Sequence, residues 1–479
     1  MSPLKPQRLR DPVHDLIPFG TDQFEHTLWR VIQTPPFQRL RRIRQLGFSE
    51  FVFPGATHTR FAHSIGVFHI ARQLIGVIRA SIGADRTRQY GDHQAHVAMA
   101  AALVHDVGHG MFSHAFEPIA EAMKLPMVHH EAQSERLILG SEIAEVLQTL
   151  GGGFANDVAA LIGRKEPGNL YDAVVSSQFD ADRLDYMQRD RLMTGVQSSG
   201  IDLTWLLANL EIASVGTGAD EEGAGEVETL VLGPKAALTA ESYVLSLFHL
   251  YPNVYYHKTT RGVEAVFGAL MRHLIRLGRK GHTDKIGLPA NHPILRFALE
   301  PERLEYATAL DDLVFWGALP MLAEAEDQVV AGRATALRDR RLPECIDIRQ
   351  EVEATLPRLD NEERASHRAR VHLACSNITG ALREWLAELP EGDEPILIDS
   401  PKPRDPYKRY QDSKAPLNRI LIRLGTAGVT DMADLSPVIA GAESFEVCRA
   451  YISRGDNRAH SQVWNTTRTE IQRKCYANA

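Results

Sequence analysis

The sequence predicts a mainly α-helical protein with a small β-hairpin and a C-terminal α+β subdomain. Apolar residues recur at helical spacing through most of the chain before residue 390. Two segments that alternate like strands, 210–214 and 227–232, flank a loop rich in glycine and acidic residues, which indicates a hairpin. Short apolar segments after residue 394 are typical of strands, and a helix predicted between them completes the small subdomain.

Composition limits the classes of protein that this chain represents. Its 479 residues are 44% hydrophobic, which is enough for large buried cores, and its net charge of −8 argues against a protein-wide affinity for nucleic acid. The four cysteines lie far apart and show no CxxC spacing. The N-terminus lacks the apolar core of a signal peptide, and no apolar run reaches the roughly 18 residues of a membrane span. We therefore expect a cytoplasmic protein without a membrane partner.

The helical body is expected to begin near Asp22, after a short extended segment. Thr34-Pro35-Pro36 interrupts the first helix, and a second one, rich in arginine, follows over 37–46. Further helices are predicted over 57–82, 92–106, 114–123, 132–150, 156–164, 172–193 and 237–277, the last bent near Pro252. The expected organisation is a catalytic core over 1–285, a helical extension over 286–393 and the α+β subdomain over 394–479, with a linker near 401–412.

The most informative motif is the adjacent pair His105-Asp106, which ends an apolar, alanine-rich helix and precedes Gly108. Histidine and aspartate form a mixed nitrogen and oxygen ligand set that suits a divalent transition metal. Two adjacent ligands leave a metal incompletely coordinated, so the pair requires partners elsewhere in the chain. The candidates are His63, in the first turn of an upstream helix, and Asp182, on a downstream helix.

Three segments in this order resemble the HD-domain deoxynucleoside triphosphate triphosphohydrolases: 51–64, 105–114 and 180–186. The resemblance covers about residues 10–280 and implies a helical HD-domain core. It implies hydrolysis of a deoxynucleoside triphosphate to deoxynucleoside and tripolyphosphate, with water attacking the α-phosphorus. It also implies that the metal ligands are His63, His105, Asp106 and Asp182.

The same resemblance assigns roles to other residues. It places two histidines beside the α-phosphate, an orienting acid where the family often has aspartate, and an acid/base pair near the leaving oxygen; these are His109, His114, Glu117, His130 and Glu131. It assigns phosphate contacts to Arg60, Arg183, Lys258 and Arg261. Gln45 and Asp190 match residues that bind the 3′-hydroxyl, Leu46 matches the residue that excludes ribose, and Tyr186 and Tyr255 wall the sugar and base.

One position departs from the family pattern. In the metazoan branch an aspartate before the Thr-Pro turn reads an activating guanine nucleotide, and here that position is Gln33, although Gln38 and Arg41 match other members of that allosteric site. A neutral glutamine cannot accept two hydrogen bonds from guanine as a carboxylate does. A different activator, or none, stays open. The sterile-alpha-motif domain of that branch is expected to be absent.

Alternatives remain open at this stage. The same scaffold serves nucleotidases, cyclic-nucleotide phosphodiesterases and alarmone hydrolases, and a nucleotide sensor or single-strand nucleic-acid binder that uses the arginine-rich helix is a reading from another class. The expected cofactor is one divalent transition metal per subunit, Mn, Fe, Co, Ni or Zn, with Mg entering alongside the nucleotide. A homo-oligomer, whether dimer, tetramer or hexamer, is expected by family analogy alone.

Overall fold

The structure is a computed structural model that describes residues 5–84, 89–126, 129–198, 200–216, 225–390, 392–407, 416–425 and 428–476. The chain forms two compact units. The first comprises residues 1–120, 126–255 and 405–443, and the second comprises residues 121–125, 256–404 and 444–479. The predicted tip of the hairpin and part of the predicted linker lie outside the described residues.

The chain is mainly helical, as predicted. Its elements up to residue 250 are β1 Gln7–Asp11, β2 Asp15–Phe19, α1 Gln23–Ile32, α2 Pro35–Arg39, α3 Arg60–Ala84, α4 Asp92–Val104, α5 Glu117–Ala122, α6 His130–Gly140, α7 Glu142–Leu147, α8 Phe154–Ile162, α9 Ala181–Thr194, α10 Leu203–Ala208, β3 Leu210–Gly216, β4 Glu226–Leu232 and α11 Ala237–Leu250.

The remaining elements are mostly helices with short strands between them. They are α12 Lys258–Arg279, α13 Pro293–Leu299, α14 Leu304–Thr308, α15 Asp312–Leu322, α16 Gln328–Arg338, β5 Glu344–Asp347, α17 Ile348–Thr355, α18 Arg364–Ala387, β6 Ile396–Asp399, β7 Leu421–Arg423, β8 Val429–Asp431, α19 Met432–Leu435, α20 Pro437–Gly441, β9 Arg449–Ile452 and α21 Asn457–Tyr476.

Helices α3, α4 and α9 form the centre of the first unit. α4 is apolar on nearly every side, and its residues from Ala98 to Val104 are buried, as expected of a helix surrounded by others. α3 is long and apolar enough to cross a membrane by length and composition, but it packs against α4 and α9 and much of it is buried. Burial among neighbouring helices accounts for its apolar composition without a membrane.

Two small sheets accompany the helices of the first unit. β1 and β2 form an antiparallel hairpin, so the N-terminal segment that was expected to be merely extended is paired. β3 and β4 form the predicted antiparallel hairpin, in which Leu210 faces Leu232. β7 joins β4 in parallel, and β8 closes the sheet in the order β3-β4-β7-β8.

The second unit places helices around a three-stranded sheet. α12 packs against α13 and α16, and α18 packs against α17 and α21. β9 lies between β5 and β6 and is antiparallel to both, so that Ala450 faces Ile346 on one side and Ile398 on the other. Apolar side chains from these strands and from α17, α18 and α21 form one buried core.

Several predicted helices are interrupted in the structure. The helix expected over 132–150 breaks at Ser141, whose extended backbone and side-chain oxygen cap α7. The helix expected over 237–277 is interrupted by a π-turn at Tyr251–Tyr255, which agrees with the predicted bend near Pro252. The predicted domain boundaries at 285 and 393 both fall inside the second unit, where β5 and β6 pair with the two edges of β9.

Candidate metal centre and active site

The structure brings the four predicted metal ligands together in the first unit. His63 lies in the first turn of α3, His105 and Asp106 follow α4, and Asp182 lies in the first turn of α9. His63 Nε2 lies 3.0 Å from Asp182 Oδ1 and 3.7 Å from Asp106 Oδ2. His105 Nε2 lies 3.2 Å from Asp106 Oδ1 and 3.8 Å from Asp182 Oδ1. Donor atoms of His63, His105 and Asp182 lie close enough together to hold one ion, and Asp106 lies beside them.

Hydrogen bonds set the tautomers of both imidazoles. His105 Nδ1 donates to the carbonyl of Ala102 at 2.9 Å, and His63 Nδ1 donates to Asp185 Oδ2 at 2.7 Å. With Nδ1 engaged in this way, Nε2 of each ring faces the carboxylates of Asp106 and Asp182 and is the atom available to a metal. The buried Nε2 of His105 has no hydrogen-bond partner among the described residues. A buried nitrogen left without a partner is costly unless a ligand occupies it, so the donor set fits a metal ion.

The electrostatics of the group also fit a cation. Burial alone would lower the pKa of His63, but the hydrogen bonds and charges of Asp182 and Asp185 outweigh it and raise the pKa to about 10. The pKa of Asp106 is held well below its ordinary value by Arg60 and His105, although burial opposes this. The carboxylates thus remain ionised and favour positive charge at the centre of the group.

A buried network that the sequence analysis missed supports His63 from behind. Asp185 accepts from His63 through one oxygen and lies 2.6 Å from His14 Nε2 through the other. Arg189, fully buried, donates to Asp185 and to Asp11 at 2.8 Å each. The available signal was spacing, because Asp185 lies three residues after Asp182 and four before Arg189, which places the three on neighbouring positions of one helix.

A second group of side chains lies beside the metal centre. His109 Nε2 lies 3.2 Å from Asp106 Oδ1, and the rings of His109 and His130 stack with centroids 3.8 Å apart. Glu117 Oε1 lies 2.7 Å from His130 Nδ1 and 3.0 Å from His114 Nδ1. Donor atoms of four of these residues are close enough together to hold an ion, namely those of His109, His114, Glu117 and His130. Because Glu117 already engages Nδ1 of two histidines, we interpret the group as one that moves protons.

The two stacked histidines have pKa values shifted in opposite directions. Burial and the positive charges of Arg60 and His130 hold the pKa of His109 well below its ordinary value. Burial also disfavours a charged His130, but the hydrogen bond to Glu117 and the charge of Glu131 raise its pKa overall. Environments that move two pKa values in opposite directions distinguish the acid of a site from its base.

A glycine holds the two groups together. A Cβ at Gly108 would lie 2.2 Å from the backbone nitrogen of Ser134 and 2.4 Å from the carbonyl oxygen of His130. The turn after His105-Asp106 therefore touches the backbone of α6, which carries His130. Any larger residue would separate them.

Glu131, the second predicted member of the acid/base pair, is 54% exposed and lies 3.6 Å from His130 Nε2.

Two of the arginines predicted to contact phosphate, Arg60 and Arg183, form hydrogen bonds with acidic side chains. Arg60 is buried and donates to Asp106 Oδ2 at 2.5 Å and to Ser113 Oγ at 2.6 Å. Arg183 donates to Asp180 Oδ2 at 2.6 Å and to the carbonyl of Ser177. Arg60 therefore lies at the metal centre through Asp106, whereas Arg183 extends from the same turn of α9 as Asp182.

Residues predicted to contact the sugar lie around Asp190. Its carboxylate accepts from Tyr255 Oη at 2.9 Å and lies 2.8 Å from His58 Nε2, a partner that the sequence analysis missed. The rings of Tyr186 and Tyr255 meet edge to face at 6.2 Å. The buried Oε1 of Gln45 has no hydrogen-bond partner among the described residues, and the neighbouring Leu46 is half-buried.

The remaining predicted residues fall elsewhere. Lys258 and Arg261 belong to the second unit, where Lys258 is exposed at the start of α12 and Arg261 pairs with Asp399 and Glu264. The predicted allosteric residues lie near the end of α1. Gln33 is exposed, Gln38 donates to the carbonyl of Ile32 at 2.7 Å, and Arg41 donates to Gln38 at 2.8 Å while lying 3.5 Å above the ring of Phe61.

Comparison with known proteins places this site in a family. The HD domain model matches residues 60–187, which contain all four predicted metal ligands. The uncharacterized protein YwfO of Bacillus subtilis is 32% identical over 274 residues, 57% of this chain and 57% of that protein. The deoxynucleoside triphosphate triphosphohydrolase SAMHD1 of Gallus gallus is 34% identical over 219 residues, 40% of this chain and 34% of that protein. The match thus spans about half or less of the length of these relatives.

A solved structure shows the same fold. A phosphohydrolase from Bacteroides thetaiotaomicron superposes with a TM-score of 0.68 at 23% identity, covering 94% of this chain and all of that one. This similarity concerns the fold and agrees with the helical core described above. Residues 60–187 are thus similar to the HD domain, and the histidines and aspartates that converge within them fit a metal ion.

Proposed function

We propose that this protein hydrolyses deoxynucleoside triphosphates to deoxynucleoside and tripolyphosphate. The observation that carries the proposal is the contact between two groups of residues: the metal ligands around Asp106 and the proton-moving group of His109, Glu117 and His130, which meet 3.2 Å apart. Phosphate ester hydrolysis requires charge neutralisation and proton transfer at adjacent atoms, and this arrangement supplies both. The similarity to enzymes named for this reaction supports the choice of substrate.

The chain's own residues account for the metal-dependent part. His63, His105, Asp106 and Asp182 would hold a divalent cation, which polarises phosphoryl oxygen and lowers the pKa of bound water. Arg60 keeps Asp106 ionised and oriented through their hydrogen bond. The same guanidinium adds positive charge beside the position that a phosphate would take.

His130 is the proposed proton donor to the leaving 5′-oxygen. Glu117 accepts at its Nδ1, so the ring presents Nε2 away from Glu117 as the donating atom. The carboxylate also favours the protonated ring and stabilises the charge that His130 carries before transfer. His109, stacked against His130 and kept neutral by burial and nearby charge, is suited to accept or donate a hydrogen bond at the α-phosphate without becoming charged.

Selection of the sugar is proposed to come from Gln45, Leu46 and Asp190. The unpaired amide oxygen of Gln45 is suited to accept a hydrogen bond from a hydroxyl group. Asp190 is oriented by Tyr255 and His58 for contact with the 3′-hydroxyl. The Leu46 side chain would meet C2′ and leave no room for a 2′-hydroxyl.

Product analysis tests the proposal most directly. The protein, loaded in turn with Mn, Fe, Co, Ni or Zn, is incubated with each dNTP and NTP, and the products are separated by ion-exchange chromatography. Intact tripolyphosphate from deoxynucleotides is the expected product, and His105→Ala should release none while retaining its helical circular-dichroism signal. Orthophosphate from monophosphates, or cleavage of cyclic nucleotides or alarmones, would instead assign another HD-type phosphohydrolase activity.

A further inference from the structure

Three arginines of the second unit converge on a single carboxylate. Arg272 and Arg276 lie one turn apart on α12, and Arg333 lies on α16, which packs against it. Arg276 Nη1 lies 3.0 Å from Glu394 Oε1, whereas Arg272 Nη2 and Arg333 Nη2 share Oε2 at 3.4 and 3.5 Å. We refer to these four residues as the Glu394 cluster.

Glu394 makes only long hydrogen bonds with two of its three arginine partners. Charge-assisted hydrogen bonds are ordinarily about 2.7–2.9 Å long, and two of the three contacts here are far longer. The same unit contains a well-made pair for comparison: Arg261 binds Asp399 through two nitrogens, at 2.5 and 3.1 Å. Glu394 is thus shared among cations rather than paired with one.

The cluster carries more positive than negative charge. Arg333 also donates to the carbonyl of Ala269, but Arg272 and Arg276 have no hydrogen-bond partner except Glu394 among the described residues. Asp327 contributes a further negative charge nearby, yet its carboxylate caps α16 and contacts His273. Most guanidinium N–H donors of the cluster therefore have no acceptor among the described residues.

The cations are partly withdrawn from water but remain reachable. Their side chains are 14–30% exposed, with Arg333 the least and Arg276 the most. Burial lowers the pKa of both Arg272 and Arg333, which shows that positive charge there is incompletely compensated. Three cations that share one carboxylate in such a position favour binding of a further anion from solution.

We propose that the Glu394 cluster is a binding site for a phosphate group, either orthophosphate or a phosphate monoester, whose oxygens replace Glu394 as the shared acceptor. Guanidinium groups bind tetrahedral oxyanions through paired donors, and three of them arranged around one position suit a phosphate better than a single carboxylate. Nothing in this inference depends on the reaction proposed for the first unit.

Titration of the metal-loaded protein with orthophosphate at constant ionic strength tests the site, with chloride as the reference anion and binding followed by calorimetry. Glu394→Gln removes the competing carboxylate and should bind phosphate about tenfold more tightly than the unaltered protein. Arg333→Gln should bind about tenfold more weakly. Arg338→Gln, an exposed change on the same helix, should leave the affinity unchanged.

Two further arms separate the sources of phosphate and the two sites. dAMP in place of orthophosphate shows whether the site accepts an ester, and His105→Ala retains the Glu394 cluster while disabling the metal centre. Phosphate binding that persists in His105→Ala but responds to Glu394→Gln supports the site even if no triphosphohydrolase activity exists. Binding equal to that of chloride, or an affinity unaffected by Glu394→Gln, overturns it.

Discussion

At the scale of single residues, Asp185 and Glu117 each orient the imidazole of a different histidine. Each carboxylate accepts from Nδ1 of a histidine and thereby decides which atom of the ring faces the site. For His63 that atom is Nε2, which is placed to bind a metal. For His130 it is also Nε2, which is suited to giving up a proton. Both roles follow from the hydrogen bonds and not from the type of residue alone.

The role of Asp185 leads to a prediction about metal affinity. Asp185→Asn weakens the hydrogen bond that orients His63 and leaves Arg189 with less compensating charge, so we expect metal to bind about 10- to 100-fold more weakly. Competition with a chromogenic chelator measures this without any assay of activity. Asp157→Asn, which alters an exposed contact with His93, is the control and should not change the affinity.

The role of Glu117 leads to a prediction about pH. The hydrogen bond from Glu117 raises the pKa of His130, so Glu117→Gln should lower that pKa. A proton donor is lost as the pH rises through its pKa, so the alkaline limb of kcat/KM should move to lower pH in this variant. Glu121→Gln, an exposed change on the same helix, should keep the original profile. An unmoved alkaline limb in Glu117→Gln would exclude His130 as the donor.

At the scale of elements, the crossing of α3 and α9 positions the metal centre. A Cβ at Gly66 would lie 1.9 Å from Asp185 Oδ1 and 2.4 Å from Arg189 Nη2, so the glycine permits the two helices to approach. α3 supplies His63 and α9 supplies Asp182. The distance between two metal ligands therefore depends on a residue that does not contact the metal.

Gly66→Ala should disturb this crossing. The added methyl group must displace Asp185 or separate the helices, so we expect the free energy of unfolding to fall by about 1–3 kcal/mol and metal affinity to fall with it. Gly76→Ala on the same helix meets no atom within 4 Å and should be neutral or stabilising by up to about 1 kcal/mol. Urea denaturation of the two variants compares them, and equal stability would contradict the close approach.

At the scale of the whole molecule, metal binding is expected to stabilise the folded chain. The ligands come from α3, the turn after α4 and α9, which unfolding would separate. A cation at a hundred times its dissociation constant therefore adds about 2.7 kcal/mol to folded-state stability. Calorimetry should show Tm falling on chelation in the unaltered protein. His105→Ala should show no such change, and a metal-dependent Tm in that variant would place the ion elsewhere.

The chain's division into two units also belongs to this scale. β7 and β8 come from the C-terminal part of the chain but pair with the hairpin of β3 and β4 in the first unit. β5 ends almost fifty residues before residue 394, where the C-terminal part begins, and it pairs with β9 in the second unit. The segment after residue 394 thus contributes strands to two sheets, one in each unit.

The sequence by itself determined the mainly helical class, the hairpin of β3 and β4, the interruption near Pro252 and the order of the histidines and aspartates. Apolar periodicity and turn residues are local properties that adjacent positions determine, and the order of the ligands can be read directly along the chain. Family resemblance added residue roles that composition and spacing do not contain.

Tertiary structure alone decided how the strands after residue 340 pair, why Asp185 lies behind His63, and why Gly66 and Gly108 must be small. Each of these depends on atoms from segments far apart in the chain, as when Arg189 meets Asp11 across 178 positions. The pairing partners of short strands and the neighbours of a buried carboxylate are settled only when the helices pack, since neither leaves a periodic trace in the sequence.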